Sequence, residues 1–141
     1  MQALVQQPAL AGVLVHAGMV LLSMFSISML RVNKFATKAA AADPTSLWSK
    51  AHRLQELTVE WSPIIALVCL ALHVQATAKW GGHIDSTTAL LILGVTVARL
   101  WFAFVYLTLP NRNNFSIFRM LSMVLLYTCF SGLLCSLFMY F

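Results

Sequence analysis

The sequence predicts an all-α integral membrane protein: one four-transmembrane-helix up-down bundle occupying residues 1–141. Three observations carry that expectation. Of the 141 residues, 60% are hydrophobic and 9% charged, whereas a soluble domain is nearer a quarter charged. Four stretches, about 9–30, 57–77, 87–108 and 117–141, each offer the ~20 apolar residues that a helix needs to cross ~30 Å of hydrocarbon. Basic residues collect in alternate connections. Little chain is left for a soluble catalytic domain, so the function is expected in or at the bilayer.

The first span is preceded by eight residues, Met1 to Pro8, without Lys or Arg. Neither a secretory signal nor an arginine-rich transit peptide is therefore expected within the chain; an internal signal in the first span and a presequence removed earlier stay open. The first connection carries Arg31, Lys34 and Lys38, with Lys50 and Arg53 just beyond, and the third carries Arg112 with Arg119 after it. The second has only Lys79. The positive-inside rule puts connections one and three on the cytoplasmic, matrix or stromal side, and both termini opposite. The formal charge of +5 is thus first a topology signal. Nucleic-acid binding is not expected, because no clustered soluble basic face is present. Attraction of the first connection to anionic membrane lipids is.

Asp43-Pro44-Thr45-Ser46 reads as a helix start, with Asp43 as the cap and Pro44 in the first turn. The second helix should then begin near residue 45 and project its first two turns beyond the hydrocarbon. Lys79-Trp80-Gly81-Gly82-His83 reads as a turn with an interfacial tryptophan, and 109–114 as a second tight turn.

The chemistry-bearing residues concentrate at the basic end. Arg53, Glu56 and Glu60 follow spacings of three and four and share one helical face. Glu60 lies about 10 Å deeper than Arg53, and Arg99 roughly 13 Å below the end of the third span, so the two could meet at one depth. A charge inside hydrocarbon costs roughly 2.5–3.5 kcal/mol on insertion scales, which argues for a partner or a cavity. Two readings stand side by side: an ion pair that only fixes helix register, or a pocket for an anion, favoured by the excess of Arg53, Arg112 and Arg119 over the carboxylates. His16 and His73 fall near the other side and could pair; no carboxylate or cysteine lies at ligand spacing, so no metal site is expected. Cys69, Cys129 and Cys135 lie in apolar spans and are expected to pack as small hydrophobes. Asn114-Phe115-Ser116 fits a glycosylation sequon but falls on the wrong side and too near the fourth span.

Arg53-Leu54-Gln55-Glu56-Leu57-Thr58-Val59-Glu60-Trp61-Ser62-Pro63 in the second span, followed by Ala98-Arg99-Leu100 and Tyr106 in the third, resembles the MAPEG family, the membrane-associated proteins of eicosanoid and glutathione metabolism. The resemblance covers roughly residues 31–119. It implies a homotrimer with glutathione bound between subunits near the cytosolic face. Arg53, Gln55, Glu60, Arg99 and Tyr106 would hold glutathione, and Arg112, with Arg119 second, would stabilise its thiolate. A thiolate so formed attacks lipophilic electrophiles or hydroperoxides. An endoplasmic-reticulum or other endomembrane site is the first expectation; mitochondrial and plastid membranes also satisfy the charge rule.

The departures define the alternative. Leu57 stands where the family has Asn, Phe102 where Tyr is common, and Trp61 where Tyr or Phe is usual. Each lost polar partner typically weakens a buried site by ~1–3 kcal/mol. The competing expectations are therefore a glutathione-dependent transferase or peroxidase, and a catalytically degraded lipid-binding protein or accessory subunit of a larger membrane complex. A channel predicts a polar stripe through the whole bilayer, whereas these polar residues gather at one end.

Overall fold

A computed structural model describes residues 7–32, 37, 43–108 and 116–141. Four helices make it up: α1 (Pro8–Val32), α2 (Leu47–Trp80), α3 (Ser86–Thr108) and α4 (Ile117–Tyr140). No strand occurs among the described residues. All four are long and apolar enough to cross a membrane, and the class is that of a multi-pass helical membrane protein. α2 is the longest, at 34 residues, about 51 Å of helix against ~30 Å of hydrocarbon. It begins at Leu47, close to the start that the turn signal predicts.

That start differs in detail from the expectation. Ser46, not Asp43, is the N-cap, and its hydroxyl accepts from the Ser49 N–H at 3.1 Å. Asp43 shapes the turn before it, accepting from the Thr45 N–H at 2.8 Å and the Thr45 hydroxyl at 2.7 Å. These hydrogen bonds hold the Asp43 carboxyl below its ordinary range. A short side chain that can bond its own backbone two residues on makes a turn as readily as a cap, and spacing alone does not separate the two.

α2 ends where Gly81 takes a left-handed conformation (φ 61°) and Gly82 follows at φ 86°, a backbone that residues with a Cβ rarely adopt. The Gly82 N–H closes on the Ala76 carbonyl at 2.9 Å. Asp85 then caps α3, its carboxylate accepting from the Thr88 N–H at 2.9 Å and the Thr88 hydroxyl at 2.6 Å.

α1 packs mainly on α2 and α3 mainly on α4. The two pairs meet around a core of Ile65, Val68, Cys69 and Leu72 from α2, Ile92, Val95 and Ala98 from α3, and Leu126 and Leu133 from α4. Spacings of three and four put each set on one helical face. At Gly94 the α3 and α4 backbones approach closely: a Cβ there would stand 2.7 Å from Cys129 Sγ. Outward faces carry large apolar side chains such as Leu21, Leu67, Leu90, Phe104 and Phe138. In water such faces would aggregate; in lipid they are the ordinary surface.

Candidate functional site

The basic end gathers side chains from all four helices. At the foot of α1 the Arg31 guanidinium lies 5.9 Å from the centroid of Trp48 on α2. On α3, Arg99, Phe102 and Tyr106 recur at spacings of three and four, and Arg119 of α4 closes the row. Arg99 sits 5.9 Å from the Phe102 ring, the Phe102 and Tyr106 rings are 5.6 Å apart, and Arg119 lies 4.4 Å over Tyr106. Cation–π contacts of this kind are worth about 0.5–2 kcal/mol, more where water is excluded. Tyr106 and Arg119 are thus brought together as packed neighbours, on the same side as Arg53.

Arg99 is 2% exposed and reaches across the bundle to α2, donating to the Leu57 carbonyl at 3.1 Å. Its Nε finds no hydrogen-bond partner among the described residues. The depth estimate is right, since Leu57 is one turn from Glu60. The expected meeting with Glu60 does not occur: no Glu60–Arg99 ion pair forms among the described residues, and the Glu60 side chain is exposed. Helical angle explains this. Thr58 and Ser62 mark the buried face of α2, and Glu60 is two residues, about 200°, from each.

Glu60 instead belongs to an outward stripe. Arg53, Glu56, Glu60, Pro63, Leu67, Leu70 and Val74 are all exposed and repeat at spacings of three and four. Arg53 is paired on this stripe with Glu56 at 2.7 Å, and His52 approaches the same carboxylate at 3.4 Å. Gln55 is half-buried beside it. The stripe is polar at its first two turns and apolar thereafter. Arg112 lies outside the described residues, as do Asn114 and Phe115 of the sequon.

Other expectations resolve individually. Trp61 packs edge-on against Tyr127 and Phe130 of α4, with centroids at 5.4 and 6.2 Å, so it joins helices. The run 101–106 divides by helical angle, with Trp101 and Phe104 exposed and Phe102, Val105 and Tyr106 buried. Cys69 is buried, Cys129 half-buried and Cys135 exposed, all as free thiols. Among the described residues no group of three or more His, Cys, Asp or Glu is placed to hold a metal.

Two polar clusters escaped sequence reasoning. At the far end the Tyr140 hydroxyl donates to Asp85 at 2.7 Å and accepts from the Asp85 N–H at 3.0 Å, while Lys79 bonds the Phe141 carbonyl. These contacts tie the end of α4 to the α2–α3 turn. The Asp85 carboxyl is held down at about 2, by the Thr88 hydroxyl first and then by Tyr140. The Asp85–Thr88 spacing was a legible capping signal; its tyrosine partner, 55 residues on, was not. The second is the burial of Ser62 beside the same α1–α2 groove as His16, both fully buried; the pairing of His16 with His73 does not form, since neither His16 nitrogen has a hydrogen-bond partner among the described residues.

No family model, curated protein or solved structure matches this chain.

Proposed function

We propose that this protein is a MAPEG-like glutathione-dependent transferase or peroxidase, with its site on the outward stripe of α2 at the basic end, completed by a neighbouring copy in a homotrimer. The observation that carries the reading is Glu60. It is exposed on a helix of membrane-spanning character, and a carboxylate left facing hydrocarbon is strongly disfavoured. A neighbouring copy laid along the stripe would remove Glu60, Glu56 and Arg53 from lipid together. Glutathione carries two carboxylates and one ammonium, which complement an array holding both signs. Arg53 and Gln55 would take carboxylate, Glu60 the ammonium, and the charge of Arg99 the anionic peptide; Arg112 or Arg119 would stabilise the thiolate. The second substrate would reach the same edge laterally from the lipid.

Calorimetry of glutathione binding to the detergent-purified protein tests this, with Arg53→Ala and Glu60→Ala alongside and the oligomeric state measured in the same samples. Saturable binding by a trimer, lost in both variants, is the expected result. No binding at millimolar glutathione to folded protein rejects it.

One observation favours the second reading, a lipid-binding protein or accessory subunit of a larger membrane complex. Arg99, Phe102, Tyr106 and Arg119 spend their polar and aromatic faces on one another and on the Leu57 carbonyl. Such a row holds helices together without a ligand. Under this reading the stripe of α2 covers a different membrane protein, and native purification recovers the chain in a complex rather than as a homotrimer.

A further inference from the structure

A hollow of about 550 Å³ opens at the far end of the bundle, where the second connection leaves the apolar spans. Its wall is His83, Ile84 and Asp85 before α3, with Met139 and Tyr140 at the end of α4. His83, Asp85 and Met139 are exposed and Ile84 and Tyr140 half-buried, so a ligand reaches the wall from outside. Small-molecule sites commonly enclose about 300–1,000 Å³ and pair an apolar wall with a few polar groups. This hollow fits both measures.

The charge in the wall selects a cation. The Asp85 carboxyl is held at about 2 and is ionised at physiological pH. The donors it accepts from, the Thr88 N–H, the Thr88 hydroxyl and the Tyr140 hydroxyl, are all neutral. No ion pair to Asp85 forms among the described residues. The N-terminus of α3 offsets only about half a charge. Lys79, the only Lys or Arg of the second connection, bonds the Phe141 carbonyl instead. A carboxylate has about four acceptor directions. Oδ1 takes both hydroxyls and Oδ2 only the Thr88 N–H, which leaves one direction on Oδ2.

An ammonium N–H fills that direction with a charge-assisted hydrogen bond, roughly twice as strong as one from a neutral donor. An anion would meet the Asp85 charge with no compensating cation. A metal ion needs several ligands, and no group of three or more His, Cys, Asp or Glu is placed to supply them among the described residues. Ile84, Met139 and Tyr140 suit an apolar body, and aromatic rings attract ammonium groups. Both demands meet in one molecule, a primary ammonium on an apolar tail.

We propose that the hollow between the α2–α3 turn and the end of α4 binds a long-chain primary ammonium amphiphile, its N–H donating to Asp85. The aminoethyl head group of a phospholipid and a free long-chain amine share this chemistry. The site lies at the end opposite Arg53 and Glu60 and does not depend on the glutathione reading.

The test is equilibrium binding of radiolabelled dodecylamine to the full chain in phosphatidylcholine nanodiscs, with empty discs subtracted. Saturable binding of one probe per chain is expected, with dodecanol and dodecyl sulfate competing roughly tenfold more weakly than unlabelled amine. Asp85→Asn removes the charge at nearly constant size and should weaken binding by roughly tenfold or more. Tyr140→Phe breaks the same latch but keeps the charge, so binding should stay within about threefold of the parent. Loss of binding in both variants would trace the effect to the broken latch and overturn the site. Unchanged binding in Asp85→Asn, binding no greater than in empty discs, or dodecanol competing as well as the amine overturns it too. Should Asp85→Asn fail to fold, the alcohol and sulfate competitions decide. Displacement by dioctanoylphosphatidylethanolamine but not by dioctanoylphosphatidylcholine assigns the site to a phospholipid head group; displacement by free amines alone assigns it to a long-chain amine.

Discussion

The two ends of the bundle treat polar groups in opposite ways. At the α2–α3 turn, Asp85 accepts from the Thr88 N–H, the Thr88 hydroxyl and the Tyr140 hydroxyl, and its own N–H is taken by Tyr140. Two glycines close the preceding helix. Toward the basic end, Arg99 keeps an unpartnered Nε in the interior and Glu60 faces outward. A cluster whose members hydrogen-bond one another in this way is a latch that holds α4 to the turn. Groups left open inside an apolar layer are expensive to keep, and that expense is what directs attention to the other end.

The contrast breaks most sharply at Arg99. Arg99→Met keeps length and packing while removing a buried charge that has no carboxylate partner. Glutathione affinity should fall roughly tenfold, because the charge acts through the low-dielectric interior rather than by direct contact, while the melting midpoint holds or rises. Calorimetry and thermal melting on one sample separate the two; a lower midpoint with unchanged affinity would make Arg99 purely structural.

Asp85→Ala should do the reverse. Loss of the cap and of the Tyr140 link removes about 1–2 kcal/mol and lowers the melting midpoint, and glutathione binding stays as it was. If binding falls instead, the far end is no mere latch.

A third variant sharpens the site itself. Leu57 is half-buried on the turn that Arg99 reaches, and Leu57→Asn adds an amide there. One new hydrogen bond is worth ~0.5–1.5 kcal/mol, so affinity for glutathione should rise roughly two- to tenfold by calorimetry. No change would favour the accessory reading.

The smallest effect is a pH dependence centred on the latch. The Asp85 carboxyl sits at about 2, below its ordinary 3.8. A depressed carboxyl stabilises the fold above the unfolded value, and that contribution disappears as pH falls from about 4 toward 2. Asp43, also lowered by its Thr45 hydrogen bonds, acts in the same direction. Melting midpoints between pH 5 and 2 should therefore decline less steeply in Asp85→Asn than in the parent.

The sequence by itself determined the four spans and the alternation of their connections, because a run of ~20 apolar residues has one stable arrangement in hydrocarbon. It also determined the depth at which Arg99 meets α2, since the helical rise is fixed and Leu57 lies one turn from Glu60. The tertiary structure decided which way each side chain turns at that depth. Rise gives depth but not azimuth until the buried face is known, and Thr58 with Ser62 put that face opposite Glu60. Packing also decided the partners of Asp85 and Arg99, the Tyr140 hydroxyl and the Leu57 carbonyl, which lie 55 and 42 residues away in the chain. Local pattern identifies a group that needs a partner; only the folded bundle shows whether it found one.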